Sequence, residues 1–342
     1  MQLAFLTFLS RYIDFNKPTS YNQNVNKKNY DLEWVFIQMT RHAKRFIYIA
    51  LLMIAACCIA GCGSSKAGLV EGKVNVVTSF YPLYDFTKQI GGDYVNVINL
   101  VPAGVEPHDW SPKSRDIKNM SGAQVFVYQG AGFEGWVKDF LGSLSSKSTV
   151  RVVEASTGAN LITTDENKKE FDPHAWLSPL NAQKMANNIK AALIEADPAH
   201  KDAYEQNYQK YNAKLSELDT RYKKELATTS KKEIAVSHHA FAYLCRDYGL
   251  TQMSIMGLSP DAEPTAQDLK QINAFIKEHQ LKYIFFEELV SDKLAKTLAK
   301  DAKVDTLVLN PLEGLTEEQI KAGEDYISIM DKNLKNLVLA LQ

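Results

Sequence analysis

One apolar stripe constrains this chain more than any other feature. Tyr204, Tyr208, Tyr211, Leu215, Leu218, Tyr222 and Leu226 recur at spacings of three and four between residues 198 and 228. That period places them on one face of a helix. At about 1.5 Å per residue the helix would run roughly 45 Å, long enough to cross the whole protein. Asp197-Pro198 marks its start or a kink, and Ser178-Pro179 supplies the N-cap and first residue of a helix just upstream. Such a rod can pack on two lobes at once and would limit their opening. The plainer alternative is a surface helix inside the second lobe.

Strand and helix signals alternate on both sides of this rod. Upstream, 74–80, 94–100, 124–128 and 149–153 read as strands, and 82–90, 114–120 and 133–141 as helices, the first closed by Gly91-Gly92. Downstream, strands are expected at 234–237, 253–256, 283–286 and 306–309, and helices at 241–248, 265–279, 291–300 and 325–341. Alternation of this kind argues for parallel sheets covered on both faces. The expected fold class is α/β, two lobes each with a mainly parallel sheet flanked by helices, joined by one long crossover helix. The lobes would span 73–178 and 230–342, with a helical linker at 179–229.

The N-terminal part has a different character. Arg41, Lys44 and Arg45 precede an apolar stretch from 46 to 60, then Gly61-Cys62. About 15 apolar residues are short for a spanning helix, which needs roughly 20, and suit an export signal. Ala60 and Gly61 before Cys62 resemble a bacterial lipoprotein cleavage box, so 39–61 reads as signal peptide, Cys62 as the lipidated residue and 62–72 as tether. The alternative is an uncleaved anchor helix. Residues 1–38 remain an unexplained extension, arising from an upstream start assignment with Met39 as the true start, or from a long leader. Cys57 and Cys58 fall in the leader, which leaves Cys245 alone in the folded part, where it reads as a small buried hydrophobe. A formal net charge of -1 and no long basic run give no reason to expect nucleic-acid binding.

Six of the seven histidines lie in the folded part, and three contexts stand out: VPAGVEPHDWSP around His108, FDPHAWLSP around His174 and SHHAF at His238 and His239. His108 and His174 sit in loops flanked by prolines that restrict the backbone, while His238 directly follows a strand. Ligands of open α/β sheets bind at the carboxyl ends of strands, so these loops could face one cleft. Any one of them alone reads more simply as an exposed or packed loop residue. His200, in a first helical turn, and His279, ending a polar helix, fit solvent exposure. A fourth ligand from the second lobe could be Glu287 or Glu288 in FFEE, or Glu313 in LNPLEG, and spacing does not choose among them. Imidazole and carboxylate are both good zinc ligands.

Together, VPAGVEPHDWSP, DPHAWLSP, SHHAFAYLCRDYGL and LNPLEGLT resemble the metal-binding lipoproteins of zinc and manganese ABC importers, of the zinc-uptake type, over about 73–342. The resemblance implies a two-lobed binding protein with a long backbone helix and a metal between the lobes. It matches His108, His174 and His238 to the first three ligands and Glu313 to the fourth, with His239 a neighbour and Glu287 structural or supporting. Many zinc members carry a histidine-rich loop before the second ligand, but TTDENKKEF at 163–171 has none. Some carry a second zinc-binding domain, which is not expected here.

The expected cargo is Zn²⁺, because similar manganese members use a carboxylate where this chain has His238, and three imidazoles with one carboxylate suit tetrahedral zinc. The alternatives are a manganese-binding counterpart or a zinc-dependent hydrolase. The sequence has no HExxH, GxSxG or Walker motif, and Glu313 as fourth ligand would close the position a hydrolytic water needs. No enzyme activity is expected. A lipid-anchored adhesin is a third class with no repeat to support it. The transport reading implies a monomer on the extracytoplasmic face of the membrane, an importer permease as partner and a separate cytoplasmic ATPase. Asp109, Asp172 and Glu287 are available to hold the second imidazole nitrogens. Metal release is expected as pH falls through the histidine range near about 6.5.

Overall fold

The computed structural model describes residues 68–165, 167, 170–260 and 264–342. The proposed extension, signal peptide and Cys62 lie outside them. Among the described residues no helix is long and apolar enough to cross a membrane.

The first lobe holds β1 (Val74–Thr78), α1 (Tyr81–Gly91), β2 (Val95–Asn99), α2 (Ser114–Gly122), β3 (Val125–Tyr128), α3 (Val137–Ser143) and β4 (Arg151–Glu154). Its sheet is parallel in the order β2-β1-β3-β4. A hairpin of β5 (Thr163–Asp165) and β6 (Glu170–Phe171) follows, antiparallel. Two helices come next, α4 (Pro179–Ala196) and α5 (Lys201–Ala227), separated by one 3-10 turn at Pro198–His200. The second lobe holds β7 (Glu233–Val236), α6 (Ala242–Tyr248), β8 (Thr251–Ser254), α7 (Ala266–Glu278), β9 (Tyr283–Phe286), α8 (Lys293–Ala302), β10 (Asp305–Val308), α9 (Glu317–Lys321) and α10 (Tyr326–Leu341). Its parallel order, β10-β9-β7-β8, mirrors the first.

The long rod is α5, 27 residues and therefore about 40 Å. Six of its seven stripe residues are buried, and Tyr208 is half-buried. The rod touches both lobes. The Tyr211 hydroxyl donates to Asp85 of α1 at 3.1 Å, and the Tyr222 hydroxyl donates to the Met330 carbonyl of α10 at 2.7 Å. Burial pushes the Asp85 carboxyl up to about 6, with Asp325 adding to the effect. Ser178 caps α4, its hydroxyl accepting the Asn181 N–H at 3.2 Å. One contiguous apolar cluster runs from Val76 and Phe86 through Trp176, Leu215 and Tyr222 to Ile234 and Leu337. The two lobes therefore share a core.

Several boundaries differ from the sequence reading. β8 begins two residues earlier than expected, and α3 starts at Val137 because residues 133–134 are irregular and 135–136 form a turn, with the Glu134 carboxylate bonded back to Ser79 and Gln129. Glu134 is half-buried, accepts Ser79 O–H at 2.6 Å and Gln129 N–H at 2.6 Å, and its carboxyl is pushed up to about 7 by desolvation. The β5–β6 hairpin and α9 had no strong signal, since strands of three and two residues and a helix of five are too short to show a period.

Candidate metal centre

Each histidine reaches the space between the lobes by a different local device. His108 sits in the loop after β2, where the Glu106 carboxylate accepts its backbone N–H at 2.9 Å. His174 follows Asp172-Pro173. Asp172 Oδ1 accepts the His174 backbone N–H at 2.9 Å and lies 2.8 Å from its Nδ1, so one carboxylate oxygen holds both ends of the residue. The Tyr243 hydroxyl then donates to the Asp172 carbonyl at 2.5 Å, fixing this turn to the second lobe.

His238 is placed by sheet register. β7 and β9 run parallel with Ala235 opposite Ile284 and Val236 opposite Phe285. Continuing that register sets His238 beside Glu287, and His238 Nδ1 lies 2.6 Å from Glu287 Oε1. Ser237 O–H also donates to that oxygen. The strand order reverses at β7, with β8 on one side and β9 on the other. Such a switch point opens a crevice at the carboxyl ends of the strands.

Glu313 comes from the loop after β10. Leu312, immediately before it, has φ 59, a left-handed conformation that costs a buried branched residue free energy and persists only when its surroundings enforce it. Here they do. Asn310 Oδ1 accepts the Leu312 N–H at 2.7 Å, Asn333 of α10 bonds both the N–H and the carbonyl of Asn310, and Glu288 accepts from Asn310 Nδ2 at 2.6 Å. Glu288, one of the carboxylates considered from sequence, thus braces the loop that presents Glu313.

The four side chains meet. Their ligand atoms all lie within 4.8 Å of one another. Glu313 Oε1 is 3.1 Å from His108 Nε2 and 3.4 Å from the Nε2 atoms of His174 and His238. His174 Nε2 is 3.3 Å from both His108 Nε2 and His238 Nε2. A tetrahedral zinc site with arms of about 2.05 Å has edges of about 3.3 Å. With the Nδ1 protons of His174 and His238 directed at Asp172 and Glu287, both Nε2 lone pairs point at the same spot as the carboxylate. Converging lone pairs repel unless a cation or protons sit between them. The side chains of His174, His238 and Glu313 are 0–2% exposed, while that of His108 is 11% exposed.

Protonation reflects this convergence. Burial alone would raise the Glu313 carboxyl, but hydrogen bonds from the three imidazoles hold it well below the usual carboxylate range. Burial works against charge on His174, yet Asp172 and Glu313 raise it above the ordinary imidazole value. For His238 burial is likewise outweighed, by Glu287 first and then Glu313, and the imidazole is held up to about 10.

The remaining sequence candidates lie apart. His239 is not among the four converging side chains: its backbone N–H donates to the Gly257 carbonyl at 2.8 Å and its ring Nδ1 lies 3.4 Å from the Ser254 hydroxyl. Asp109 is exposed and bonds none of the three imidazoles among the described residues. His200 stacks on Tyr94 with ring centroids 4.0 Å apart, and His279 is half-exposed. Cys245 is buried, and that burial pushes its thiol up to about 12, as suits an inert core residue.

Two parallel-sheet lobes on one shared helix, with three imidazoles and a carboxylate converging between them, define a two-lobed substrate-binding protein with a His/His/His/Glu metal cluster. The chain belongs to the zinc-uptake complex component A (ZnuA) family, described as periplasmic, whose model matches residues 76–340. It is 42% identical over 301 residues to the zinc-binding lipoprotein AdcA of Streptococcus pneumoniae, covering 84% of this chain and 60% of that protein. It is 44% identical over 305 residues to the high-affinity zinc uptake system protein ZnuA of Bacillus subtilis, covering 84% and 95% respectively. Among solved structures, the Zn(II)-bound ZnuA-like domain of Streptococcus pneumoniae AdcA superposes with a TM-score of 0.70 at 44% identity, over 79% of this chain and 99% of that one. The chain spans about 60% of the length of the AdcA lipoproteins it matches.

Proposed function

We propose that this chain is a high-affinity extracytoplasmic zinc-binding protein that delivers Zn²⁺ to the permease of an ABC importer, with His108, His174, His238 and Glu313 as the ligands. The observation that carries the reading is the set of ligand–ligand separations, 3.1–3.4 Å for the five given above, which suits a small tetrahedral ion. Three imidazoles and one carboxylate favour zinc over manganese, which prefers oxygen-rich sites. Four protein ligands leave no coordination position for a hydrolytic water. The carboxylates beside the imidazoles keep the rings oriented, with Asp172 serving His174 and Glu287 serving His238.

The rest of the assignment follows from the same reading. Cys62 carries the lipid after removal of 39–61, 62–72 is the tether, the lobes are 73–178 and 230–342, and 179–229 is the helical linker. The protein acts as a monomer, and a separate cytoplasmic ATPase supplies the energy. The test is zinc titration of the purified chain beside His108→Ala and Glu313→Gln. Stoichiometric zinc in the native chain and a much weaker site in both variants supports the reading. A native chain that ignores Zn²⁺ at neutral pH ends it, and retained zinc in Glu313→Gln with loss of a hydrolytic activity turns it toward an enzyme.

A further inference from the structure

Among the described residues three of the four converging side chains are almost fully enclosed, and the opening that reaches the fourth is local. Beyond the site the lobes are tied together by buried bonds. The Trp176 indole N–H donates to the Pro311 carbonyl at 2.7 Å, and the Tyr326 hydroxyl donates to the Trp176 carbonyl at 2.6 Å. Gly104 N–H donates to the Leu315 carbonyl at 2.9 Å, closing the loop of the first ligand onto the loop of the fourth. Tyr243 closes a further side through Asp172. Swinging the lobes apart would break these bonds and divide the shared core.

On the remaining side a cavity of about 620 Å³ reaches His108. Its walls come from both lobes, with Phe133, Thr164 and Phe171 on one side and Leu258 and Ser259 on the other. Of the four ligands only His108 lines it, and His108 is also the one with appreciable exposure. Thr164 lies in β5 and Phe171 in β6, which pair antiparallel, so these two strands form one jamb of the opening.

We propose that zinc enters and leaves through this vestibule while the lobes stay together, with His108 the first ligand to bind and the last to let go. The proposal rests on the assignment of the four ligands above. It differs from a clamp, in which the lobes part and all ligands are exposed at once. A gate on the route of exchange alters both rates and leaves the equilibrium unchanged, whereas damage to the ligand set alters the equilibrium.

The experiment narrows the vestibule from each wall with Thr164→Trp, Ser259→Trp and the pair together, using Thr164→Ala and Ser259→Ala as controls. Thr164 is exposed, so the bulky residue does not disturb the core. Zinc association and chelator-driven dissociation are followed by stopped-flow with a zinc-sensitive dye, and affinity by equilibrium competition. The expected result is a fall of about tenfold in both rate constants for the double variant. Affinity should stay within about twofold of the native value. Unchanged rates in tryptophan variants that remain folded overturn the proposal, as does slowed dissociation with tighter binding. Failure of the ligand assignment would look different, since the native chain itself would then bind no zinc.

Discussion

Glu287 touches no cargo in the arrangement described, yet it governs His238. Its carboxylate takes the Nδ1 side of the ring and leaves Nε2 pointing inward. Glu287→Gln is expected to weaken zinc binding by about 10–100-fold while the fold persists, measured by competition with a chelator. Protons make a second prediction at this scale. His238 holds its proton up to about 10, and His174 is raised in the same direction, so at neutral pH zinc must displace the His238 proton. Binding should release protons, and affinity should keep rising as pH increases beyond 7, rather than levelling just above about 6.5 as unperturbed histidines would require. Calorimetry in buffers of different ionisation enthalpy counts the protons, and a heat independent of buffer would refute the point. For the metal-free protein the sign is fixed by linkage. The His238 contribution to stability is fully present below the unfolded imidazole value and is lost as pH rises through about 10. The Glu313 contribution is present above the ordinary carboxylate range and is lost as pH falls through its depressed value.

At the scale of elements, α5 is the member whose disruption should be felt most widely. Leu215 is fully buried in the shared core. Leu215→Ala is expected to cost about 2–5 kcal/mol, read as a lowered midpoint in urea unfolding. Ser178→Ala removes the cap of α4 and should cost about 1 kcal/mol, with further loss because the same hydroxyl donates to Asp247 at 2.5 Å. These elements were legible in the sequence because long helices carry a period and capping residues are chemically distinctive. The three histidines were legible because proline-bounded loops and a strand terminus advertise them. The choice among Glu287, Glu288 and Glu313 was not legible from spacing, because it depends on which strand lies beside which. Register pairs Glu287 with His238, and the Asn310–Asn333 bonds turn Leu312 and aim Glu313. Neither the β7–β9 adjacency nor a left-handed leucine leaves a mark in local composition.

At the scale of the molecule, the proposed site would draw its ligands from two lobes and so bind the folded state only. Free zinc at about 1,000 times its dissociation constant should therefore add about 4 kcal/mol to stability, seen as a higher melting temperature that a chelator reverses. That the sheets would be parallel and paired was readable from alternation, whereas the single core joining them was not, since its members come from segments far apart in the chain.

Under the proposed function, the core shared by the lobes has a bearing on how an importer would distinguish cargo-laden carriers from spent ones. If zinc exchanges without lobe opening, as proposed, the silhouette is much the same in either condition, and scattering profiles recorded with and without zinc should nearly coincide. Recognition by the permease would then have to rest on small differences in the order of the loops around the metal, not on a change of global outline.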